Sequence, residues 1–241
     1  MDIIFALRIP TWYQSSAGYL DAERIKVSKV SGSLTNAVYF VSYPDIPSIK
    51  TVLLRIYGAN TSSLISRPRE LHTLHVLSSQ YRIGPRVHGT FDNGRIEEYF
   101  DSTALTAADL RDPTTSRWIG ARMAELHRVD IAAIEEEDRV PTNGDTKSSW
   151  NIAAKTNVRS WLKVAYEVLQ ISSVEDEFKS AIQLDRFVTE WEQYMAWLAD
   201  WESKHVSSKR VFAHNDTQYG NLLRLRKIKE GLPEHRQVRI L

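Results

Sequence analysis

Cysteine is absent from all 241 residues, which excludes disulfides and thiolate metal sites and fits a reducing compartment. An excess of one charge is absent too. The 31 basic and 30 acidic residues leave a net charge of +1, too little to gather nucleic acid or a membrane surface. No apolar run approaches the roughly 18–20 residues that cross a bilayer, so stable membrane insertion is not expected. Residues 1–10, MDIIFALRIP, have neither a basic leader nor a small-residue cleavage site and do not read as a signal peptide. Internal repeats and low-complexity tracts are missing as well. What is present suits a globular chain. Hydrophobic residues make up 42%, and seven Trp, ten Tyr and seven Phe argue against disorder. The expectation is a soluble, cytoplasmic protein with no nucleic-acid partner.

The first half reads as strands and turns. Residues 24–30 and 37–43 are β-rich runs separated by the turn-prone Ser31-Gly32-Ser33-Leu34-Thr35-Asn36. Pro44 and Pro47 close the second run, and residues 50–57, KTVLLRIY, are apolar enough for a central strand. Leu71, Leu74 and Leu77 recur every three residues and predict a helix over 67–80. Residues 86–100 read as a hairpin with Asn93-Gly94 at its turn, a pair that tolerates positive φ. The second half is helical. Residues 116–129 carry Ile119, Met123 and Leu126 on one face, 135–149 read as a polar surface loop, and 150–169 and 176–202 as longer helices. Phe187, Trp191, Tyr194, Leu198 and Trp201 form a stripe on the last helix that reads as core packing. Strands followed by helices predict an α+β chain of two lobes with a cleft between them and a boundary near 100–104.

Residues 211–225, VFAHNDTQYGNLLRL, carry the chemistry. His214, Asp216 and Asn221 stand in the order H-x-D-x-x-x-x-N after a short apolar run. A His-Asp pair alone commonly caps a turn or a strand end. The longer spacing has a purpose in phosphoryl transfer. An aspartate positions and deprotonates the attacking hydroxyl, and an asparagine five residues on turns back to offer magnesium a neutral oxygen.

The full string HNDTQYGNLL resembles the catalytic loop of the choline/ethanolamine kinase family more closely than the H-R-D-L loop of protein kinases. Residues 31–36 are similar to that family's phosphate loop, S-G-x-[LM]-[ST]-N, and residues 94–99 to its G-R-x-E-[EQ]-[FY] hinge. The resemblance covers residues 24–241. It implies a protein-kinase-like bilobal α+β fold, with a β-rich nucleotide-binding lobe over 1–100 and the first half of a helical lobe over 101–241. It also implies ATP and Mg²⁺ as cofactors and choline or ethanolamine as substrate, giving phosphocholine and ADP at the first step of phosphatidylcholine synthesis. Asp216 is then the base, Asn221 the magnesium ligand, Gln218 a support for the transferring phosphate or the substrate, and His214 a brace for the loop.

On the nucleotide side, the same resemblance assigns phosphate contacts to Ser31, Gly32, Ser33, Thr35 and Asn36, through backbone N–H groups and side chains. Arg55 occupies the strand position where protein kinases place their ATP-binding lysine, and Glu70 aligns with its acidic partner. Residues 98–100 form the hinge, where Glu98 to Phe100 meet adenine through the backbone. Val238-Arg239-Ile240-Leu241 looks like the strand leading into the family's D-F-E metal motif. On that reading residues 1–241 by themselves are expected to be inactive and marginally stable, with the terminal run in need of a sheet neighbour. Family members are often homodimers, an assembly the resemblance also suggests. Two alternatives stay open: a catalytically inactive, kinase-like binding or regulatory partner, and an aminoglycoside-phosphotransferase-like small-molecule kinase.

Overall fold

The computed structural model describes residues 2–15, 20–30, 36–58, 66–135, 153–205, 209–228 and 230–241. The chain divides into two compact units, Met1–Arg139 with Val211–Leu241, and Val140–Arg210. The class is α+β.

Five strands of the first unit, β1 (Lys26–Val30), β2 (Asn36–Ser42), β3 (Val52–Tyr57), β4 (Val87–Phe91) and β5 (Gly94–Glu98), form an antiparallel sheet in the order β1-β2-β3-β5-β4. The apolar run at 52–57 is its central strand, as expected. Side chains alternate between the two faces of a strand. Val41, Val52 and Ile96 enter a core shared with Ile4, Ile9 and Trp12 of an N-terminal segment. That segment folds as α1 (Asp2–Ala6) and α2 (Pro10–Ser15). Trp12 is fully buried, stands edge-on to Tyr43, and donates its indole N–H to the Lys50 carbonyl at 2.9 Å. The opposite face of β3 and β5 carries Arg55, Arg95 and Glu97, with Arg55 directly across from Arg95.

The β4–β5 hairpin forms where it was expected, but the turn works differently. Phe91 pairs with Gly94, so Asp92-Asn93 make the loop. Among the described residues, positive φ occurs at Arg8, Arg82, Gly84, Gln183, Asn215 and Gly231, not at Asn93 or Gly94. Gly94 is needed for space instead. A Cβ there would lie 2.4 Å from the Arg55 carbonyl oxygen and 2.5 Å from the Phe91 ring. The carbonyl belongs to a paired central strand and cannot retreat without breaking the ladder. Gly94→Ala is therefore expected to lower stability by about 1–3 kcal/mol, the range for overpacking, read as a fall in the urea midpoint at unchanged m-value.

Helix α3 (Arg67–Val76) opens with a proline in its first turn, where the missing N–H costs nothing, and ends in a π-helical turn at Leu77–Tyr81. Helix α4 (Pro113–Leu126) is capped by Asp112, whose carboxylate accepts from the N–H and the hydroxyl of Thr115, both at 2.7 Å. Val76, Leu77, Ile83, Leu126 and Val129 form a second core with Ile134 of α5 (Ile131–Glu135). A smaller sheet holds β6 (Ser102–Ala104), β7 (Leu222–Leu225) and β8 (Val238–Ile240) in that order, all antiparallel. The terminal apolar run thus has its sheet neighbour in β7, with Val238 and Ile240 buried, and the expectation of a bare strand is corrected.

The second unit contains α6 (Ala153–Leu169), α7 (Asp176–Ile182) and α8 (Leu184–Lys204). One helix was expected over 176–202. Gln183 adopts the left-handed conformation (φ 47°, ψ 49°) and breaks it into two. The Tyr166 hydroxyl donates to Asp185 at 2.7 Å and ties α6 to α8. The aromatic stripe is only partly covered: Phe187 is 44%, Tyr194 49% and Trp201 36% exposed, while Trp191 and Leu198 are half-buried. Trp191, Tyr194 and Trp197 follow one another along the helix as tilted ring pairs at centroid spacings of 5.9 and 5.8 Å. The expected loop at 135–149 lies almost wholly outside the described residues. No helix among them is long and apolar enough to cross a membrane.

Candidate active site

Residues 212–222 form a loop pinned at both ends. Phe212 packs against the second core, and Leu222 is buried with Leu105 and Ile240. Between these anchors Asn215 takes positive φ (63°), which asparagine tolerates better than most residues and which reverses the chain just before Asp216.

Both ring nitrogens of His214 are engaged. Nδ1 accepts the Asp216 backbone N–H at 3.2 Å, so it carries no proton. Nε2 then holds the hydrogen and donates to the Leu241 carbonyl. A neutral imidazole committed on both sides has no site left for a substrate proton, and it braces the loop.

The Asn221 amide nitrogen donates to the Asp216 carboxylate at 2.7 Å and to the Asp216 carbonyl at 2.9 Å. This double hold fixes one carboxylate oxygen and leaves the other at an exposed position. With its nitrogen turned to Asp216, Asn221 keeps its carboxamide oxygen for a different partner. Gln218 caps the single 3-10 turn Tyr219–Asn221 by accepting the Gly220 N–H at 2.9 Å. A Cβ on Gly220 would lie 2.8 Å from the Gln218 amide nitrogen, so a larger residue there would make that flexible side chain shift.

The nucleotide-side residues form a second cluster. Ser31, Gly32, Ser33 and Thr35 lie outside the described residues. Asn36 opens β2, and its Oδ1 accepts from Arg67 at 3.4 Å. The expected Arg55–Glu70 pair is replaced by a longer chain of charges. Arg55 donates Nε and Nη2 to the two Glu97 oxygens at 3.1 and 3.2 Å. Arg95 also donates to Glu97, and reaches Glu70 at 3.0 Å and the Tyr57 hydroxyl at 3.3 Å. Glu70 takes its other bond from Arg67 at 2.6 Å. Burial pushes the Glu70 carboxyl up, but hydrogen bonds and charge from Arg95 and Arg67 outweigh it and hold the group below its ordinary value. Burial likewise opposes charge on Arg95, and the Glu97 and Glu70 carboxylates overcome it, keeping the guanidinium firmly protonated.

At the hinge, the Glu98 N–H is spent on the Arg86 carbonyl at 2.8 Å, and the Phe100 carbonyl accepts the Ser102 hydroxyl at 3.0 Å. Phe40, on the same face of the sheet as Arg55, meets Tyr99 edge-on at 4.9 Å. Strand β8 reaches both clusters' surroundings. Arg239 lies over the Phe100 ring at 5.2 Å, and Leu241, two residues on, holds His214. Sequence reasoning missed Arg95, Glu97 and Phe40 as members of the site. The alternation of β3 and β5 could have placed the first two, given their register.

Known proteins give independent bearings. The family model for choline/ethanolamine kinase matches residues 27–240. The choline kinase of Schizosaccharomyces pombe is 33% identical over 99% of this chain and 50% of its own length. That of Saccharomyces cerevisiae is 34% identical over 92% of this chain and 37% of its own. The chain thus spans about half or less of the length of these relatives. The solved ethanolamine kinase of Plasmodium vivax superposes with a TM-score of 0.68 at 20% identity, covering 92% of this chain and 58% of that one. Likeness at that identity shows the fold, a kinase-like α+β arrangement.

Proposed function

The chain belongs to the choline/ethanolamine kinase family, and from that premise we propose that the protein transfers the γ-phosphoryl group of ATP to the hydroxyl of choline or ethanolamine. The observation that carries this reading is the Asp216 carboxylate, held by the Asn221 amide, which also binds the Asp216 carbonyl, on a loop that His214 braces. The substrate oxygen attacks the γ-phosphorus, the bond to the β-phosphate oxygen breaks, and the hydroxyl proton passes to the exposed Asp216 oxygen. ADP and the phosphorylated amino alcohol leave. Positioning and charge neutralisation supply nearly all the acceleration in this chemistry.

The donor set suits magnesium, a hard cation that takes oxygen ligands. The Asn221 carboxamide oxygen would hold it, beside the Asp216 carboxylate. When bound, the ion neutralises charge on the phosphate oxygens. Arg55 is the cation for the α- and β-phosphates, Asn36 adds a polar contact to them, and residues 98–100 with Phe40 enclose adenine. Gln218, whose Oε1 caps the turn, has its amide N–H₂ for a phosphate or substrate oxygen. The cysteine-free composition supports a cytoplasmic setting. Family membership favours neither the binding-partner nor the aminoglycoside-type alternative.

The test is an ADP-release assay on the full-length protein with ATP, Mg²⁺ and each amino alcohol in turn. Release that depends on choline or ethanolamine is expected. ADP release indifferent to both would overturn the reading.

A further inference from the structure

We propose that Glu97, a strand residue, is the positioning residue for the phosphate-binding cation Arg55, and that Glu70 on helix α3 is not. The proposal rests on the assignment of Arg55 to the ATP phosphates made above.

Register sets up the problem. Arg55 and Arg95 stand directly opposite on paired antiparallel strands, and like charges in that relation repel. Glu97 follows Arg95 by two residues, so it lies on the same face, diagonal to Arg55. Its carboxylate answers both guanidiniums. Exposure divides their labour. Glu97 is 1% and Arg95 3% exposed, so neither can reach a nucleotide, whereas Arg55 is 24% exposed. Glu97 takes Nε and Nη2 of Arg55, and Nη1 stays outside that fork.

The fork fixes the Arg55 side chain before any ligand arrives, which lowers the ordering cost of binding. Glu70 is engaged by Arg67 and Arg95, and its link to Arg55 runs through Arg95 and then Glu97. The orientation of Arg55 is therefore set by the sheet that carries it. A displacement of α3 would loosen Arg95 first and leave the Arg55–Glu97 fork in place.

The experiment is a set of ATP titrations by calorimetry on the full-length protein. Arg55→Ala is expected to weaken ATP binding about ten- to a hundred-fold, the span of a charge-assisted hydrogen bond. Glu97→Gln should weaken it about tenfold, and Glu70→Gln by clearly less. In the double variant Arg55→Ala/Glu97→Gln, the Glu97 change should add less than about twofold, because its effect runs through the missing guanidinium. A merely structural role for Glu97 would leave the two penalties additive, and that result overturns the proposal alone. A Glu70→Gln loss equal to or above that of Glu97→Gln also overturns it, by making the helix the orienting partner. Unchanged affinity in Arg55→Ala would overturn both this proposal and the phosphate role of Arg55. Glu97→Asp keeps the negative charge Arg95 needs while withdrawing the carboxylate, and reads the same coupling where the glutamine variant does not fold.

Discussion

Replacing Asp216 with alanine is expected to lower kcat by roughly 10²–10⁴-fold while ATP affinity stays within a few fold. The magnitude is that of a positioned general base. The specificity follows from where Asp216 sits. Its carboxylate is bonded to Asn221, and its free oxygen is exposed on the loop rather than joined to the Arg55 cluster proposed for the phosphates. No neighbour can take over. His214 gives one nitrogen to the Asp216 backbone and the other to Leu241, so the imidazole would have to break a structural bond to accept a proton. Turnover by the alanine variant at the wild-type rate, in the ADP-release assay, would remove Asp216 from the reaction.

The candidate loop could be singled out because its residues are near one another in the chain. His214, Asp216 and Asn221 lie between 214 and 221, so one short string carried both their spacing and the family likeness. The central strands were legible for a similar reason, since alternating or continuous apolar residues at 37–43 and 50–57 leave few other ways to bury them. What escaped depends on partners far away in sequence. Helices α1 and α2 are five and six residues long, too short to show a period, and Trp12 owes its burial to strands distant in sequence, at Val41, Val52 and Ile96. Glu70 was paired with Arg55 through its alignment with the family's acidic partner, a likeness that carries no strand register. Only the β3–β5 register reveals that Glu97 shares the face of Arg55. Gln183 shows no breaker chemistry in its type, so the split between α7 and α8 left no mark. The partly covered α8 stripe has the spacing of a core helix, and spacing cannot say which side of a helix meets solvent.

Asn221→Ala should act on two properties at once, lowering kcat by about 10–100-fold and raising the Mg²⁺ concentration for half-maximal activity by a similar factor, the usual cost of losing a ligand or the group that orients it. The side chain has two tasks on the proposed reading, and they fall on different atoms. Its nitrogen holds the Asp216 carboxylate and carbonyl, and its oxygen would be the atom that holds magnesium. Asn221→Asp separates the tasks. It keeps an oxygen for magnesium, with added charge, but places a second carboxylate against Asp216, where a hydrogen bond of 2.7 Å stood. Two carboxylates that close cannot both ionise at ordinary cost, so one is driven to a higher pKa. At neutral pH the base is then partly protonated without metal. The aspartate variant should therefore bind Mg²⁺ at least as well as wild type, turn over more slowly, and recover activity as pH rises. An alanine variant with wild-type turnover and wild-type Mg²⁺ dependence would mean that Asn221 neither holds the base nor meets the ion. The single contact on which the loop's chemistry rests would then have to be sought elsewhere.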